Sequence, residues 1–173
     1  MGDSLITIIA IVLAAILMFV FPLIAVSQSG DNVAQLSVQT ATTDFVDNIR
    51  ATGKLTADDY NRFVENIAAT NNVYDVELEF KIKDENPGKK TAQTTYEKIG
   101  ENTYYTVYTT QIEDDLERDK VYRLKEGDIV SVNVKNTNMT LSQSLRNFFY
   151  KVSGNNTYQI GASDSGIVTV NGK

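Results

Sequence analysis

From Leu5 to Val26 the chain reads LITIIAIVLAAILMFVFPLIAV, with no charged side chain. Wound as a helix at about 1.5 Å per residue, this stretch extends ~33 Å, enough to cross a hydrocarbon core of ~30 Å. In lipid every backbone N–H and C=O must be satisfied within the segment, and a helix is the single-pass solution. Leu5, Ile9, Leu13 and Leu17 mark the lipid-facing character of this helix, and Pro22 lies inside it. Membrane lipid is therefore an expected partner. A cleavable secretory signal is the rival reading, because Ala25-Val26-Ser27 passes as a small-x-small cleavage site. Against it, the apolar run exceeds a usual signal core and no Lys or Arg precedes it. The first basic residue after the run is Arg50, so positive-inside asymmetry leaves orientation unspecified.

The residues beyond the run suffice for one further domain with a core of its own. Cysteine and histidine are both absent. Their absence removes the best nucleophile, the commonest general base and the commonest metal ligand. Neither a Ser-x-x-Lys spacing nor a glycine-rich phosphate loop nor a dinucleotide fingerprint occurs. An enzyme is therefore not expected, and neither is a cofactor or a metal. The net charge of −6 argues against nucleic acid as a partner.

Past the apolar run, Ala34, Val38, Ala41, Phe45 and Ile49 recur at helical spacing and predict one buried face. Val33, Leu36 and Val46 form a second apolar face on the same helix, and a second face invites a partner. Gly53 stands where a helix C-cap belongs. One long helix over residues 4–52 follows, with Pro22 and Gly30 as its bend points. Residues 1–27 are its membrane half, residues 28–53 its amphipathic extension, and residues 54–173 an extracytoplasmic α+β domain.

Within that domain, Thr56 and Asp59 form a variant capping box. Tyr60, Phe63, Val64 and Ile67 then predict a helix over 57–70. Tyr74 to Lys83 alternates apolar and charged residues in strict period two, the pattern of an antiparallel strand with one solvated face. Asp84 to Gly88 is a loop, Thr103 to Thr110 a strand, and Ile112 to Asp119 a helix. Val121 to Leu124 and Asp128 to Lys135 read as two strands with a turn at Glu126-Gly127. Thr140 caps a third helix with Leu141, Leu145, Phe148 and Phe149 on its apolar face. The tail reads as a hairpin turning at Asp164-Ser165-Gly166.

Three clusters invite a functional reading beside a bland one. Glu113, Asp114, Asp115, Glu117 and Asp119 offer oxygen ligands for Ca²⁺, yet their spacing fits no loop pattern and a solvated surface explains them. Tyr104, Tyr105, Tyr108, Tyr122, Tyr150 and Tyr158 suggest stacking on carbohydrate, although tyrosine is ordinary in half-buried strands. Asn138-Met139-Thr140 and Asn155-Asn156-Thr157 match glycosylation sequons, which chance also produces.

An apolar N-terminus that continues into an amphipathic helix of ~50 residues, backed by an antiparallel sheet, resembles a type IV pilin-like subunit. Asp44 to Lys54, with Tyr60, Phe63 and Tyr74 to Glu77, is also similar to single-pass proteins of Gram-positive bacteria resembling the Tad (tight adherence) pilin and pseudopilin group. The resemblance implies processing after Gly2, which would place a new N-terminus at Asp3, and it assigns Pro22 to the proline of pilin membrane helices. It implies copies of the chain itself, or other pilin-like subunits, as partners in a filament or its assembly machinery. The family's glutamate near the start of the apolar run is missing, since Ser4-Leu5-Ile6-Thr7 stands there. That departure favours a minor, pseudopilin or pilin-like subunit over a major pilin. A membrane-anchored binding or sensor module is the alternative.

Overall fold

A computed structural model describes residues 2–84, 104–140, 143, 144, 147 and 159–173, with residues 2 and 3 described by backbone alone. One helix, α1 (Gly2–Thr52), carries both the apolar run and its amphipathic continuation, and it continues through Pro22 and Gly30. Its most apolar window has a mean hydropathy of 3.1 and no buried residue, so among the described residues there is one helix long and apolar enough to span a membrane. At 1.5 Å per residue α1 extends about 77 Å, more than twice a bilayer core.

The remaining elements follow in the order β1 (Lys54–Thr56), α2 (Ala57–Ala68), β2 (Tyr74–Lys83), β3 (Tyr104–Tyr108), α3 (Thr109–Asp119), β4 (Val121–Arg123), β5 (Ile129–Asn136) and β6 (Gly161–Ile167). The fold is α+β, a long N-terminal helix with short helices and a four-stranded antiparallel sheet in the order β3-β2-β5-β6. A separate two-stranded antiparallel sheet pairs β1 with β4.

Local chemistry explains the boundaries. Gly53 takes φ +68°, a left-handed conformation that favours glycine, and its N–H bonds the Ile49 carbonyl at 2.8 Å. A Cβ there would collide with the backbone of Val170 and Gly172, because the tail threads past this corner. Thr56 Oγ1 accepts from the Asp59 N–H at 3.1 Å and donates to the Asp59 carboxylate at 2.6 Å, which fixes the start of α2. At Thr140 a reciprocal capping box forms, with the Gln143 N–H donating to Thr140 Oγ1 at 3.1 Å and the Thr140 N–H to Gln143 Oε1 at 3.0 Å. The expected apolar face of that third helix (Leu141, Leu145, Phe148 and Phe149) lies outside the described residues, as do most of the loop at 84–88 and the residues Tyr150, Asn155 and Tyr158.

The core lies between the sheet and the two first helices. Val38, Phe45, Val46 and Ile49 of α1 meet Phe63 and Ile67 of α2, and both pack on Leu78, Phe80, Val130, Val132 and Val134 of the sheet. Phe45 stacks on Phe63 with centroids 4.2 Å apart, and Phe80 meets Tyr122 edge to face at 5.3 Å. Each such apolar side chain contributes about 1.5–3 kcal/mol by leaving water.

The turn at Glu126-Gly127 lies where it was expected, although the strands on its two sides do not pair with each other: β4 pairs with β1, and β5 pairs with β2 and β6. One sequence expectation needs correction. The tail does not turn at Asp164-Ser165-Gly166, since those residues lie inside β6, paired with Val132, Ser131 and Val130. Small residues serve there because α1 presses on the strand: a Cβ at Gly166 would strike the Arg50 side chain.

Candidate functional site

Helix α1 is fastened to the domain along one side. Near its lower end the Thr140 hydroxyl donates to the buried Asp31 carboxylate at 3.0 Å. One turn on, the Gln35 amide donates to the Gly161 carbonyl at 2.6 Å and accepts from the Gly161 N–H at 3.0 Å, as a neighbouring strand would. At the upper end Arg50 Nε donates to the Ile167 carbonyl at 3.1 Å, and the Thr169 N–H donates to the Arg50 carbonyl at 3.1 Å. From Gln35 to Arg50 the helix rises about 22 Å, and from Gly161 to Ile167 a strand extends about 20 Å. Helix and strand thus run alongside in the same direction, and α1 shields the exposed edge of β6.

The opposite side of α1 is uncovered. Val33 is 63 % exposed and Leu36 66 %, while Ala34 and Val38 between and beyond them are buried. Val26 is exposed in phase with them, about two and three turns below. Between this side of α1 and the end of α2 lies an open groove with small residues on its walls: Ser29, Gly30, Ala34 and Ser37 on α1, Asn66 on α2, and Ala69 and Thr70 just past its end. In the apolar run Leu5, Ile9, Leu13 and Leu17 are exposed, Pro22 stands exposed within the helix, and Gly2 and Asp3 belong to its first turn.

Val46 does not belong to this uncovered side. It is 1 % exposed and packs in the core with Val38, Phe45 and Ile49. At that height α1 has the sheet on one side and α2 on another, so the buried stripe widens to include it.

The outer face of the sheet is polar. Glu77 accepts from Asn133 Nδ2 at 2.6 Å and from Lys135 Nζ at 3.3 Å, and these bonds, with the Lys135 charge, hold its carboxyl below the ordinary range. Glu77 and Asn133, with Glu79, Tyr108, Ser131 and Ser163, border a shallow cleft across β3, β2, β5 and β6.

The other clusters resolve as structure. Glu113 accepts from the Tyr60 hydroxyl at 2.7 Å, Asp115 pairs with Arg118, and Asp119 pairs with the same arginine at 3.3 Å. Among the described residues no group of three or more acidic side chains is placed to hold a metal ion. Burial, then the hydrogen bond and charge of Glu113, raise the Tyr60 hydroxyl well above its usual range. Burial, with Tyr105 and nearby carboxylates, pushes Tyr122 up to about 12. The tyrosines do not form one surface: Tyr104 and Tyr108 pair with Lys83 and Glu79 on the outer face, while Tyr105 pairs with Ile82 and Tyr122 packs on Phe80. Asn138 of the first sequon is already engaged, accepting from the Val73 N–H at 2.7 Å and donating to Asn72 at 3.1 Å.

Sequence reasoning missed the polar residues that fasten the fold. Asp31 and Gln35 fall in phase with Val38 and Thr42, so polar side chains on the apolar stripe of α1 were the available signal. Asp128, read as the start of a strand, is buried and accepts from the Lys83 N–H at 2.8 Å and the Lys125 N–H at 2.7 Å, tying the turn at Glu126-Gly127 to the end of β2. Compared with known proteins, the chain matches no family model, no curated protein sequence and no solved structure.

Proposed function

We propose that this chain is a structural subunit or minor pseudopilin of a type IV or Tad-like filament, or of the machinery that assembles one. It is held in the membrane by α1, with residues 54–173 on the extracytoplasmic side, and it associates with copies of itself or with other pilin-like subunits. The observation that carries this reading is the uncovered side of α1: Val33 and Leu36 stay in water directly above an apolar run that nothing in the domain covers. Burying each of these side chains against another subunit contributes about 1.5–3 kcal/mol. Within the bilayer, where lipid is as apolar as leucine, association rests on close packing over small residues such as Ala10, Ala14 and Ala15. The proposal assigns the chain no catalytic role, no cofactor and no nucleic-acid partner.

The chain contains no cysteine, so single replacements give clean crosslinks. Val33→Cys and Leu36→Cys are expected to yield intermolecular products in intact cells, and Val46→Cys, inside the core, is not. If neither exposed position gives a product, assembly through α1 is wrong. A membrane-anchored binding or sensor module is the second reading, and the polar cleft over Glu77, Asn133 and Ser163 favours it. In that case the domain freed of residues 1–27 retains its ligand, whereas a filament subunit loses assembly.

A further inference from the structure

We infer that two loops at the foot of the domain rest on the bilayer and insert Val73 and Met139 into its interface beside the emerging helix. Both side chains are apolar and exposed, Val73 at 63 % and Met139 at 62 %. Neither dangles. The Thr137 N–H donates to the Val73 carbonyl at 2.8 Å and the Val73 N–H to Asn138 Oδ1 at 2.7 Å, so the two loops form one braced ledge.

The ledge is held at the membrane end of α1. Thr140, next to Met139, bonds Asp31, and Asp31 stands five residues beyond Val26, about 7.5 Å along the helix axis. Thr70, three residues before Val73, lines the groove that also contains Val26. Residues 66–74, 136–140 and 27–30 contain no charged side chain. The opposite end of the domain presents Lys83, Lys125 and Glu126. Charged groups are costly at the acyl boundary, whereas uncharged polar loops with projecting apolar residues suit it. The occupant is thus lipid, continuous with the lipid around the apolar run. Three points of support, α1 and the two loop tips, set the tilt of the domain and hence the direction in which the uncovered side of α1 faces.

This inference rests on α1 spanning a membrane, and its test separates the two. The full-length chain is reconstituted in phosphatidylcholine vesicles with one environment-sensitive fluorophore at V73C, M139C, E126C or L13C. Labels at 73 and 139 are expected to emit further to the blue than the label at 126. They are also expected to be quenched at least twofold more by shallow nitroxide lipids, with matching protection from aqueous iodide. If the label at 13 is quenched by lipid while those at 73 and 139 behave like that at 126, the ledge does not touch the bilayer and the inference fails with the anchor intact. If the label at 13 also escapes lipid quenching, the anchor reading fails and this one with it. If the shifts at 73 and 139 disappear as the protein-to-lipid ratio is lowered, a second copy covers the ledge and lipid is ruled out.

Discussion

At the scale of single residues, the side chains that matter most to this domain are polar ones in partly dry places. Tyr60 and Tyr122 are both held neutral by burial, the first also by its bond to Glu113. In the unfolded chain a tyrosine loses its proton near pH 10, while in the folded protein these two keep theirs to higher pH. The unfolded state therefore binds fewer protons above pH 10, and stability falls as pH rises. Their contribution is intact below pH 10 and is lost as pH climbs from 10 through the folded values, about 12 for Tyr122. Urea unfolding across that window should show the decline beginning near pH 10, and the double variant Tyr60→Phe, Tyr122→Phe should flatten it. An equal slope in the variant would assign the decline to other groups. Below pH 10, Tyr60→Phe alone removes one half-exposed bond to a carboxylate, worth about 1 kcal/mol after discounting for solvent.

At the scale of elements, what local pattern encodes was legible and what distant chain dictates was not. β2 has the expected bounds because its alternation reports its own two faces. Helix α1 ends at Thr52 as Gly53 demands, and α2 begins at its Thr56 cap. By contrast β1 is three residues long and pairs with β4 across more than sixty residues of sequence, so it carries no hydrophobic signature of its own, while β4 was legible within Val121 to Leu124. β6 was hidden for a related reason. Its sequence, GASDSGI, has turn composition, and its glycines stand where a Cβ would meet the Val134 carbonyl, at Gly161, and the Arg50 side chain of α1, at Gly166. Such a strand needs its edge secured from outside, and Gln35 does this at Gly161. Gln35→Ala should leave the Gly161 N–H and C=O without those partners and cost about 1–2 kcal/mol. Amide exchange at Gly161 should quicken while exchange at Val132 does not. Unchanged exchange at Gly161 would mean that Gln35 lies beside the strand without securing it.

At the scale of the molecule, α1 is one helix in two environments, and the division between them is sharp. From Ser4 to Gly30 no residue is buried, and from Asp31 onward buried positions recur every three or four residues to Ile49. The uncovered face of α1 was therefore legible where the helix leaves its domain, at Val33 and Leu36, and misread where the domain wraps around it, at Val46. The same division predicts what truncation does. Removing residues 1–27 deletes no buried side chain among the described residues and none of the three fastenings at Asp31, Gln35 and Arg50, so residues 28–173 should fold as a unit. With the core intact, the thermal midpoint should stay within about 4 °C of that of the full chain in detergent, the shift that ~1 kcal/mol produces in a domain of this size. The exposed pair Val33 and Leu36 alone adds too little apolar area for a stable dimer, so the fragment should sediment as a monomer. Circular dichroism and analytical ultracentrifugation measure both quantities. A fragment that unfolds would show that the apolar half stabilises the domain through contacts outside its own core. A dimeric fragment would place association in the upper half of α1 rather than in its apolar half.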